Sequence, residues 1–504
     1  MAGNTLRRKK RIREKRRILT DHNMETNTLK IKQQGDCSAM KTTFALFFGN
    51  RGFFPESLIT LARREVECRL HSFGFDTLSL PENATRYGAV ETMEEGRIYA
   101  QFLEENRSKY DGVILCLPNF GDENGAAEAL QDAGVPIYIL AYPDEMDKMD
   151  FAHRRDAFCG KFSIMDVFCQ YGIPFTAWEP HTLHPNDPVF EEEMRQFGAV
   201  CRIVKRLKRC RIGAIGARPT KFKTIRFDEA AIQKYGITTE TFDNSDLLIK
   251  VNALCGDAPE VLAKMETLKN YTDCSSVPEE SLRTLARTAV ALDQIITENR
   301  LDAVAIRCWS DMQSTLKISP CVILSELSDR GIPAACELDV GNAIAMLALQ
   351  AAAEEPAGCL DWNNNYPSDP DGCILFHCGP VAQKLMKEKG KVVDHPMFAK
   401  ALGPGCGFGC NVGFMRPMEF TFSSTTTQEG KMRFYSGEGT FTDAPLGEGF
   451  FGCGGVAHIP GLQKKLRAIG YGGYRHHVCV APGNWKRALD EALTRYLQYT
   501  LTEM

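Results

Sequence analysis

Two kinds of hydrophobic pattern alternate along the first part of the chain. Apolar, β-branched or aromatic runs that end in polar turns predict strands at residues 42–50, 110–119 and 135–144. Helical stretches lie between these runs, among them PESLITLARREVECRLHSFG and GAAEALQDAGV. The alternation predicts a parallel sheet with helices on both faces. In such a sheet, residues that contact a ligand are expected beyond the carboxyl ends of the strands.

The same alternation starts again near Arg211. It begins with RIGAIGARPT and VNALCG, continues through the long helix SLRTLARTAVALDQIITENR, and reaches the strand DAVAIRCW at residues 302–309. This second cycle predicts a second parallel-sheet domain. We therefore place an N-terminal α/β domain at residues 40–205 and a central α/β domain at residues 206–355.

After about residue 356 the pattern changes to that of antiparallel strands. The segment FTFSSTTTQEGKMRFYSGEGTFTD alternates on either side of the turn EGK. We predict a β-rich C-terminal domain over residues 356–504, closed by the helix NWKRALDEALTRYLQY. The predicted fold class is therefore α/β, with two Rossmann-like parallel-sheet domains followed by a mostly β C-terminal domain.

Charge is distributed unevenly along the chain. The 504 residues carry a formal net charge of −4, but residues 1–39 carry +7 and the remainder carries −11. An acidic body argues against a nucleic-acid partner, because that affinity depends on clustered Lys and Arg. The basic run LRRKKRIREKRR could serve as a tail for nucleic acid or an acidic surface. A like-charge block of this length is more typical of disorder, so we predict a disordered basic leader over residues 1–39.

Cysteine usage and hydropathy bear on where the protein works. The 19 cysteines show no CxxC pairs and no regular spacing, which indicates reduced thiols. No positively charged start leads into an apolar region. No apolar stretch reaches the roughly 18 residues that a membrane span requires. We therefore predict a cytoplasmic protein without a membrane partner.

Charged and imidazole side chains stand at or beside the ends of several apolar strands. They are Glu337 and Asp339 in GIPAACELDVG, Asp361 in CLDWNNNYP, His377 in CILFHCGP, and His476 and His477 in YRHHVCVAPG. Taken singly, each is typical of a helix cap or a core histidine. Taken together, carboxylate oxygens and imidazole nitrogens form a mixed ligand set that suits Mn²⁺, Fe²⁺ or Co²⁺. The absence of thiolate pairs in the sequence argues against a structural zinc site.

Six motifs follow one another in a fixed order along residues 41–504. They are RGFFPESL, RRDAFCGKFSIMDVFCQYGIPF, IRCWSDMQ, GIPAACELDVGNAIAM, FHCGP and HHVCVAPGN. In this order they resemble the L-fucose/L-arabinose isomerase superfamily, on its fucose-isomerase-like branch. The resemblance implies two α/β domains, a C-terminal β domain and a divalent metal, usually Mn²⁺. It also implies aldose–ketose isomerisation in a homo-oligomer, here expected to be a trimer-based hexamer with pockets between subunits.

The resemblance further implies which residues hold the metal. Glu337 and Asp361 match the metal-binding carboxylates of the superfamily. His477 matches its C-terminal histidine ligand, and the adjacent His476 leaves that choice open. His377 stands where the arabinose-isomerase branch has a further histidine ligand, but fucose isomerases proper ligate the metal with only three side chains, so the resemblance leaves the ligand role of His377 open.

The substrate expected from the resemblance is a hexose or modified hexose. Arg51 matches an arginine that reaches the sugar of a neighbouring subunit. The predicted substrate-binding residues are Arg51, Arg218, Arg307, Asn119, Trp362 and His476. The arginines, together with Lys221, lie in or beside strand-end loops, where they would bind an anionic group or pair with the acidic body. Some members that resemble this chain act on sulfoquinovose, giving 6-deoxy-6-sulfofructose, and a neutral aldose such as fucose or arabinose is the alternative.

The chemistry of such an isomerase accounts for these residue types. Moving a proton between C1 and C2 of an aldose passes through an enediol, and a divalent cation stabilises the negative charge that develops on O1 and O2. Glu337 and Asp361 would move the protons, and either could be the base. Two other functions remain open. One is a non-catalytic sugar-binding module that closes around a cleft, and the other is a metal-dependent lyase or aldolase.

Overall fold

The first part of the chain builds a four-stranded parallel sheet. In the computed structural model, which describes residues 41–504, its spatial order is β2–β1–β3–β4. The strands are β1 (Thr43–Phe48), β2 (Asp76–Ser79), β3 (Gly112–Leu117) and β4 (Ile137–Ala141). β1, β3 and β4 are buried almost throughout, as expected of parallel strands covered on both faces. This burial is why they appear in the sequence as continuous apolar runs, and the three predicted strands are confirmed.

Helices connect and follow these strands. They are α1 (Ser57–Ser72), α2 (Met93–Glu105), α3 (Glu123–Leu130), α4 (Ala157–Tyr171) and α5 (Val189–Leu207), with a short 3₁₀ turn at Arg86–Gly88. The side chains of Thr92 and Asp122 cap α2 and α3, because each accepts a hydrogen bond from a backbone N–H in the first turn. The acidic residues in the first turns of α2, α3 and α5 also favour these starts through the helix dipole.

A second four-stranded parallel sheet has the order β6–β5–β7–β8. Its strands are β5 (Arg211–Ile215), β6 (Thr238–Phe242), β7 (Ala303–Ile306) and β8 (Ala334–Cys336). Its helices are α6 (Glu229–Lys234), α7 (Asn244–Ala253), α8 (Pro259–Tyr271), α9 (Glu279–Asn299), α10 (Asp311–Thr315), α11 (Cys321–Asp329) and α12 (Val340–Ala353), with a 3₁₀ turn at Lys223–Ile225. Of the segment VNALCG, which the pattern groups with the start of this cycle, residues 251–253 form the end of α7 and residues 254–256 follow the helix. The strand that the pattern misses is β6, an edge strand whose sequence TTETF is mostly polar.

The C-terminal part of the chain forms a closed antiparallel barrel of six strands. They are β9 (Gly358–Asn365), β10 (Gly372–His377), β13 (Met418–Gln428), β14 (Lys431–Phe441), β15 (Cys453–His458) and β16 (His477–Pro482). The order is β15–β10–β9–β16–β13–β14, and β14 pairs back with β15 to close the barrel. The β13–β14 hairpin is confirmed, and both of its turn residues, Glu429 and Gly430, have positive φ, as a type I′ turn requires.

Further elements extend or cover the barrel. They are β11 (Lys391–Asp394), β12 (Phe408–Phe414), β17 (Thr500–Leu501), α13 (Pro396–Leu402), α14 (Leu462–Tyr471) and α15 (Lys486–Glu491), with a 3₁₀ turn at Gln383–Leu385 and a π-helical turn at Ala492–Tyr496. α15 and the turn that continues it correspond to the predicted closing helix. The two α/β sheets and the β-rich C-terminal region confirm the predicted fold class.

Helix α12 lies between the three parts of the chain. Its sequence, VGNAIAMLALQAAA, is apolar on all sides, and the helix packs against α5 of the first part and against β13 and β16 of the barrel. Lys41–Met504 therefore forms one compact unit around this helix. The exact domain boundaries given from the sequence stay predictions.

Three further expectations from the sequence concern the basic leader, membrane-spanning helices and the state of the cysteines. The predicted disordered leader at residues 1–39 lies outside the described residues. Among the described helices, none is long and apolar enough to cross a membrane. The eighteen cysteines within the described residues are all free thiols.

Two glycine-to-alanine variants test the packing of the barrel. Gly437 lies opposite Phe422 in the β13–β14 pair, and an added Cβ would collide with the buried Phe422 ring. We expect Gly437→Ala to lower the free energy of unfolding by about 1–3 kcal/mol, as overpacking does. The matched control is Gly470→Ala in α14, where a Cβ would meet nothing within 4 Å. That change should raise stability by up to about 1 kcal/mol. Thermal or denaturant unfolding compares the two, and an equal response would contradict a packed barrel interior.

Candidate metal centre

The end of β8 and three neighbouring barrel strands bring four predicted site residues together. His477 at the start of β16 lies opposite Asp361 of β9, and His377 ends β10 on the other side of β9. Glu337 directly follows β8. The Nε2 atom of His477 lies 3.4 Å from a carboxylate oxygen of Glu337 and 3.4 Å from Oδ1 of Asp361. His377 and His477 have ring centroids 5.7 Å apart. The ligand atoms of Asp361, His377 and His477 lie within 4.8 Å of one another, and so do those of Glu337, His476 and His477.

The chain makes an unusual bend where it leaves β8. Glu337 and Leu338 have φ values of +60° and +67°, in the left-handed region that residues other than glycine rarely occupy. Each such residue costs on the order of 1 kcal/mol and persists only where the surroundings impose it. The bend carries the chain directly from β8 into α12, whose N-cap is Asp339. Glu337 is thereby placed beyond the carboxyl end of the sheet, where ligands of parallel sheets bind.

Asp339 is a fully buried carboxylate that holds His477 in place. Its Oδ1 accepts from the Arg475 guanidinium, its Oδ2 lies 2.7 Å from Nδ1 of His477, and Asn342 donates to both oxygens at 3.0 Å. Burial would raise the pKa of Asp339, but Arg475 and His477 hold it below the usual value. Because an ionised carboxylate only accepts hydrogen bonds, Nδ1 of His477 must carry the proton. Nε2 is therefore the ring nitrogen that is left to face Glu337 and Asp361, and the one that can bind a metal once its own proton is displaced.

Three buried polar atoms of this cluster lack a hydrogen-bond partner among the described residues. They are Oε2 of Glu337, Nε2 of His377 and Nε2 of His477. A buried polar atom without a partner costs about 1–3 kcal/mol, so three around one point indicate a bound group from outside the chain. Two carboxylates and an imidazole nitrogen form a donor set that suits Mn²⁺, Fe²⁺ or Co²⁺. The residues present therefore fit a divalent metal ion.

The electrostatics of the cluster favour a cation. Burial opposes a charge on His477, but its hydrogen bond to Asp339 and the nearby carboxylates of Glu337 and Asp361 raise its pKa well above the usual value. A positive charge at this point is therefore stabilised by the surrounding acidic groups. A divalent cation that displaces the proton from Nε2 meets the same stabilisation.

His476 lies at the rim of the cluster rather than inside it. Its side chain is 39 % exposed, whereas that of His477 is 0 % exposed, and its Nε2 lies 3.7 Å from Oδ1 of Asp361. Its ring stacks on Phe222, with centroids 6.0 Å apart. Partial burial and the neighbouring His477 lower the pKa of His476. His476 therefore stands at the exposed edge of the cluster, between Asp361 and Phe222.

Two of the predicted substrate-binding arginines lie at the ends of adjacent strands. Arg218 follows β5 and Arg307 follows β7; Gly216, with φ +90°, lets the loop after β5 pass beside Arg307. Arg307 forms an ion pair with Asp311 at 3.2 Å. Within residues 41–504, Arg218 donates only to the carbonyl of Pro219, at 3.2 Å, and no carboxylate pairs with it. Arg218 is thus a cation without a counter-ion in the described chain.

Arg51 and Asn119 form a separate polar group at the ends of β1 and β3. Asn119 is fully buried, and its amide donates to Asn50 at 2.5 Å. Arg51 pairs with Glu123 and lies 4.3 Å above the Phe120 ring. In the described chain no hydrogen bond or ion pair joins this group to Glu337 or His477. The expected contact of Arg51 with the sugar of a neighbouring subunit therefore stays a prediction.

Trp362 directly follows Asp361 but belongs to the packing of the barrel. Its indole N–H lies 3.2 Å from the Tyr435 hydroxyl, and its ring meets Phe422 edge-on with centroids 5.6 Å apart. These contacts fix the β9 backbone at Trp362, the residue next to Asp361. A direct role of Trp362 in substrate binding stays a prediction.

Sequence reasoning misses Arg475 altogether. The only signal is a charged residue directly before the two histidines and an apolar strand, in YRHHVCVAP. In the fold, Arg475 is 4 % exposed and neutralises Asp339. Asp339 itself was identified as a charged strand-end residue, but its role as the partner of His477 depends on contacts between distant segments.

The structure also gathers thiols that the sequence leaves scattered. Cys336, His377 and Cys378 offer ligand atoms within 4.8 Å of one another, and all three are buried. The sulfur atoms of Cys308 and Cys336 lie 2.9 Å apart, and those of Cys321 and Cys378 lie 3.6 Å apart. The absence of CxxC spacing is therefore a weak argument against thiolate ligation, because the fold brings together cysteines that lie far apart in the sequence.

Two family descriptions match separate parts of the chain. That of the fucose/sulfoquinovose isomerase N-terminal domain matches residues 45–208, and that of the L-fucose isomerase C-terminal domain matches residues 375–504. The sulfoquinovose isomerase of Alkalicoccus urumqiensis is 26% identical over 290 residues, which cover 57% of this chain and 63% of that protein. The chain thus spans less than two thirds of this relative. The sulfoquinovose isomerase of Priestia megaterium is 24% identical over 327 residues, which cover 64% of this chain and 71% of that protein.

Solved structures give only a weak likeness. An ABC transporter solute-binding protein from Burkholderia multivorans is 11% identical and has a TM-score of 0.17, with 63% of this chain and 95% of that chain covered. A likeness of this size carries no argument for a sugar-binding module.

The buried ion pair can be tested through stability. Arg475→Met leaves the Asp339 carboxylate buried without its cation, so we expect a loss of about 3–5 kcal/mol in the free energy of unfolding. Arg467→Met on the exposed face of α14 removes a cation from the surface and should change stability by less than about 0.5 kcal/mol. Melting temperatures of the two variants provide the measurement. Equal melting temperatures would show that Asp339 does not depend on Arg475.

Proposed function

Since the chain belongs to the fucose/sulfoquinovose isomerase family, a family of aldose–ketose isomerases, we propose that it interconverts an aldose and a ketose at a divalent metal ion. Glu337, Asp361 and His477 hold the ion. The observation that carries the proposal is the approach of two carboxylates to the Nε2 atom of His477, each at 3.4 Å, where buried atoms have no other partner in the described chain. The donor set suits Mn²⁺, and Co²⁺ or Fe²⁺ as alternatives.

The orientation of His477 supports its choice over His476 as the ligand. Asp339 fixes the proton on Nδ1 of His477 and so directs the free Nε2 toward the two carboxylates. Among residues 41–504 no carboxylate contacts the other nitrogen of His476, and its ring stacks on Phe222. In this proposal His476 contacts the substrate instead.

The protein residues around the metal divide the work of proton transfer. When bound, the ion supplies positive charge that stabilises the negative charge developing on O1 and O2 of the sugar. One of the two carboxylates, Glu337 or Asp361, accepts the proton from C2 and returns it to C1 by way of an enediol. The other accepts and returns the proton of the neighbouring hydroxyl. Asp339 remains ionised throughout and keeps His477 in the tautomer that binds metal.

An anionic hexose is the substrate that Arg218, unpaired within residues 41–504 and at the carboxyl end of the central sheet, favours. Arg218 has no carboxylate partner in the described chain, and the loop that carries it passes beside Arg307. Several relatives are sulfoquinovose isomerases. We therefore propose 6-sulfonated glucose as the substrate, converted to 6-deoxy-6-sulfofructose, with a neutral aldose such as fucose or arabinose as the alternative.

The proposal includes a homo-oligomer, trimer-based and expected to be a hexamer, in which Arg51 reaches the sugar bound by a neighbouring copy. Exposed aromatic residues beside Arg51 support such an interface. Phe53 is 63 % exposed and packs on Phe54. Phe158 and Phe162, on helix α4 of the same α/β part, are also exposed. Apolar side chains at such exposure are typical of surfaces that another chain covers.

Metal dependence gives the first test of this function. Treatment with a chelator should abolish aldose–ketose exchange, and Mn²⁺ should restore it. Glu337→Gln and His477→Gln should each lose most of the roughly one ion per chain expected in the wild type, because each removes a ligand. His476→Gln, the neighbouring control, should keep the ion. Full exchange by metal-free protein would contradict the proposal, and a loss confined to the His476 variant would move the ligand by one residue.

Substrate charge gives the second test. Arg218→Gln should raise KM for sulfoquinovose but hardly change KM for glucose, its neutral analogue. A lost charge-assisted hydrogen bond is worth about 1.5–3 kcal/mol, or roughly ten- to hundredfold in KM. Arg467→Gln is the control for a surface charge away from the centre. Equal losses on both sugars would contradict the anionic substrate and favour the neutral aldose.

A further inference from the structure

His377 and His477 are held in opposite tautomers by their hydrogen bonds. The backbone N–H of Cys378 donates to Nδ1 of His377 at 2.8 Å. An N–H can donate only to a nitrogen without a proton, so Nδ1 of His377 is the acceptor nitrogen. The Cys378 sulfur lies 3.3 Å from the same nitrogen. In the neutral ring the proton therefore stands on Nε2, the reverse of the arrangement in His477.

The orientation of the His377 ring is fixed by the same contact. A half-turn of the ring would place a carbon atom where Nδ1 stands and leave the buried Cys378 N–H without its acceptor. Buried backbone N–H groups are almost always paired, so the hydrogen-bond network selects the observed orientation. The two histidines are thus distinguished by their partners, a carboxylate for His477 and a backbone N–H for His377.

The tautomer decides what each histidine offers to the centre. A metal ion needs the lone pair of a deprotonated nitrogen. Nε2 of His477 can give up its proton to a metal because Nδ1 keeps the proton that Asp339 binds. Nε2 of His377 must keep its proton as long as Nδ1 accepts from Cys378. Nε2 of His377 is fully buried and has no hydrogen-bond partner among residues 41–504. An N–H group enclosed beside a site for sugar oxygens is suited to donate to one of them.

We propose that His377 is not a metal ligand and that its Nε2–H donates a hydrogen bond to a sugar oxygen on which negative charge develops during isomerisation. The inference rests on the function proposed above, and it assigns a role to His377 that the resemblance leaves open. A donor placed at a developing negative charge strengthens its bond as the reaction proceeds. His377 therefore acts mainly on kcat, with less effect on the binding of metal or sugar.

Two substitutions separate a donor from a ligand. His377→Gln keeps an N–H donor near the position of Nε2, and His377→Leu fills a similar volume without one. Mn²⁺ affinity is measured by competition with a chromophoric chelator, and kcat and KM are measured at saturating Mn²⁺. Both variants should bind Mn²⁺ within about threefold of the wild type, while His477→Gln should lose at least tenfold. kcat should fall about 10²–10³-fold in His377→Leu and recover at least tenfold in His377→Gln.

Each outcome bears on one of the two proposals. A tenfold or greater loss of Mn²⁺ affinity in both His377 variants would make His377 a ligand and overturn this inference. An unchanged kcat in His377→Leu would also overturn it, because the donor would then be unused. If instead His477→Gln and Glu337→Gln kept both Mn²⁺ and activity, the proposed function itself would fail.

A measurement on the unaltered chain protects the test against variants that do not fold. In protein labelled with ¹⁵N at histidine, the His377 ring should show a proton coupled to Nε2 and none coupled to Nδ1. The His377→Gln spectrum, if that variant folds, identifies the signal. A proton coupled to Nδ1 of His377 would contradict the assignment.

Discussion

The arrangement of the centre depends on one fully buried carboxylate, Asp339. An isolated charge in the interior is costly, so Asp339 requires the Arg475 guanidinium and the His477 ring at the same time. Arg475 and His477 stand at the start of β16 in the barrel, and Asp339 caps α12 from the central sheet. The packing of α12 against the barrel satisfies all three groups. The same contacts that join the two parts of the chain also fix the tautomer of His477.

This anchor also accounts for the position of Glu337. Glu337 and Leu338 adopt left-handed backbone conformations directly before Asp339, and the buried ion pair holds the chain in that conformation. Three buried thiols lie behind the centre. Hydrogen bonds among the sulfur atoms and burial raise the pKa values of Cys321 and Cys336 well above the usual range. Hydrogen bonds from these two thiols instead lower the pKa of Cys378, which lies beside His377.

The parts of the fold that the sequence predicts are those in which burial and local pattern coincide. β1, β3 and β4 are recognisable because they are buried on both faces, and the β13–β14 hairpin because its turn is local. The polar edge strand β6 carries no such signal. Closure of the barrel by β14 and β15 depends on pairing between Thr440 and His458, which no local pattern encodes.

The candidate site shows the same division. Carboxylates and histidines that follow apolar strands are visible in the sequence, because charges at buried positions are rare. The hydrogen-bond partners of these residues cannot be read from the sequence. Arg475 lies 136 residues from Asp339. The N–H of Cys378, although next in the chain, donates to His377 only in the backbone conformation that the fold imposes. The ligand set can therefore be expected from residue types, but the tautomers that assign each histidine its task require the fold.

Anomalous X-ray diffraction from crystals of the protein grown with Mn²⁺ would locate the ion and identify its ligands. We expect one manganese peak per chain, bonded to carboxylate oxygens of Glu337 and Asp361 and to Nε2 of His477, with His377 outside bonding distance. A peak on His476, a peak among Cys336, His377 and Cys378, or no peak at the centre would contradict this expectation.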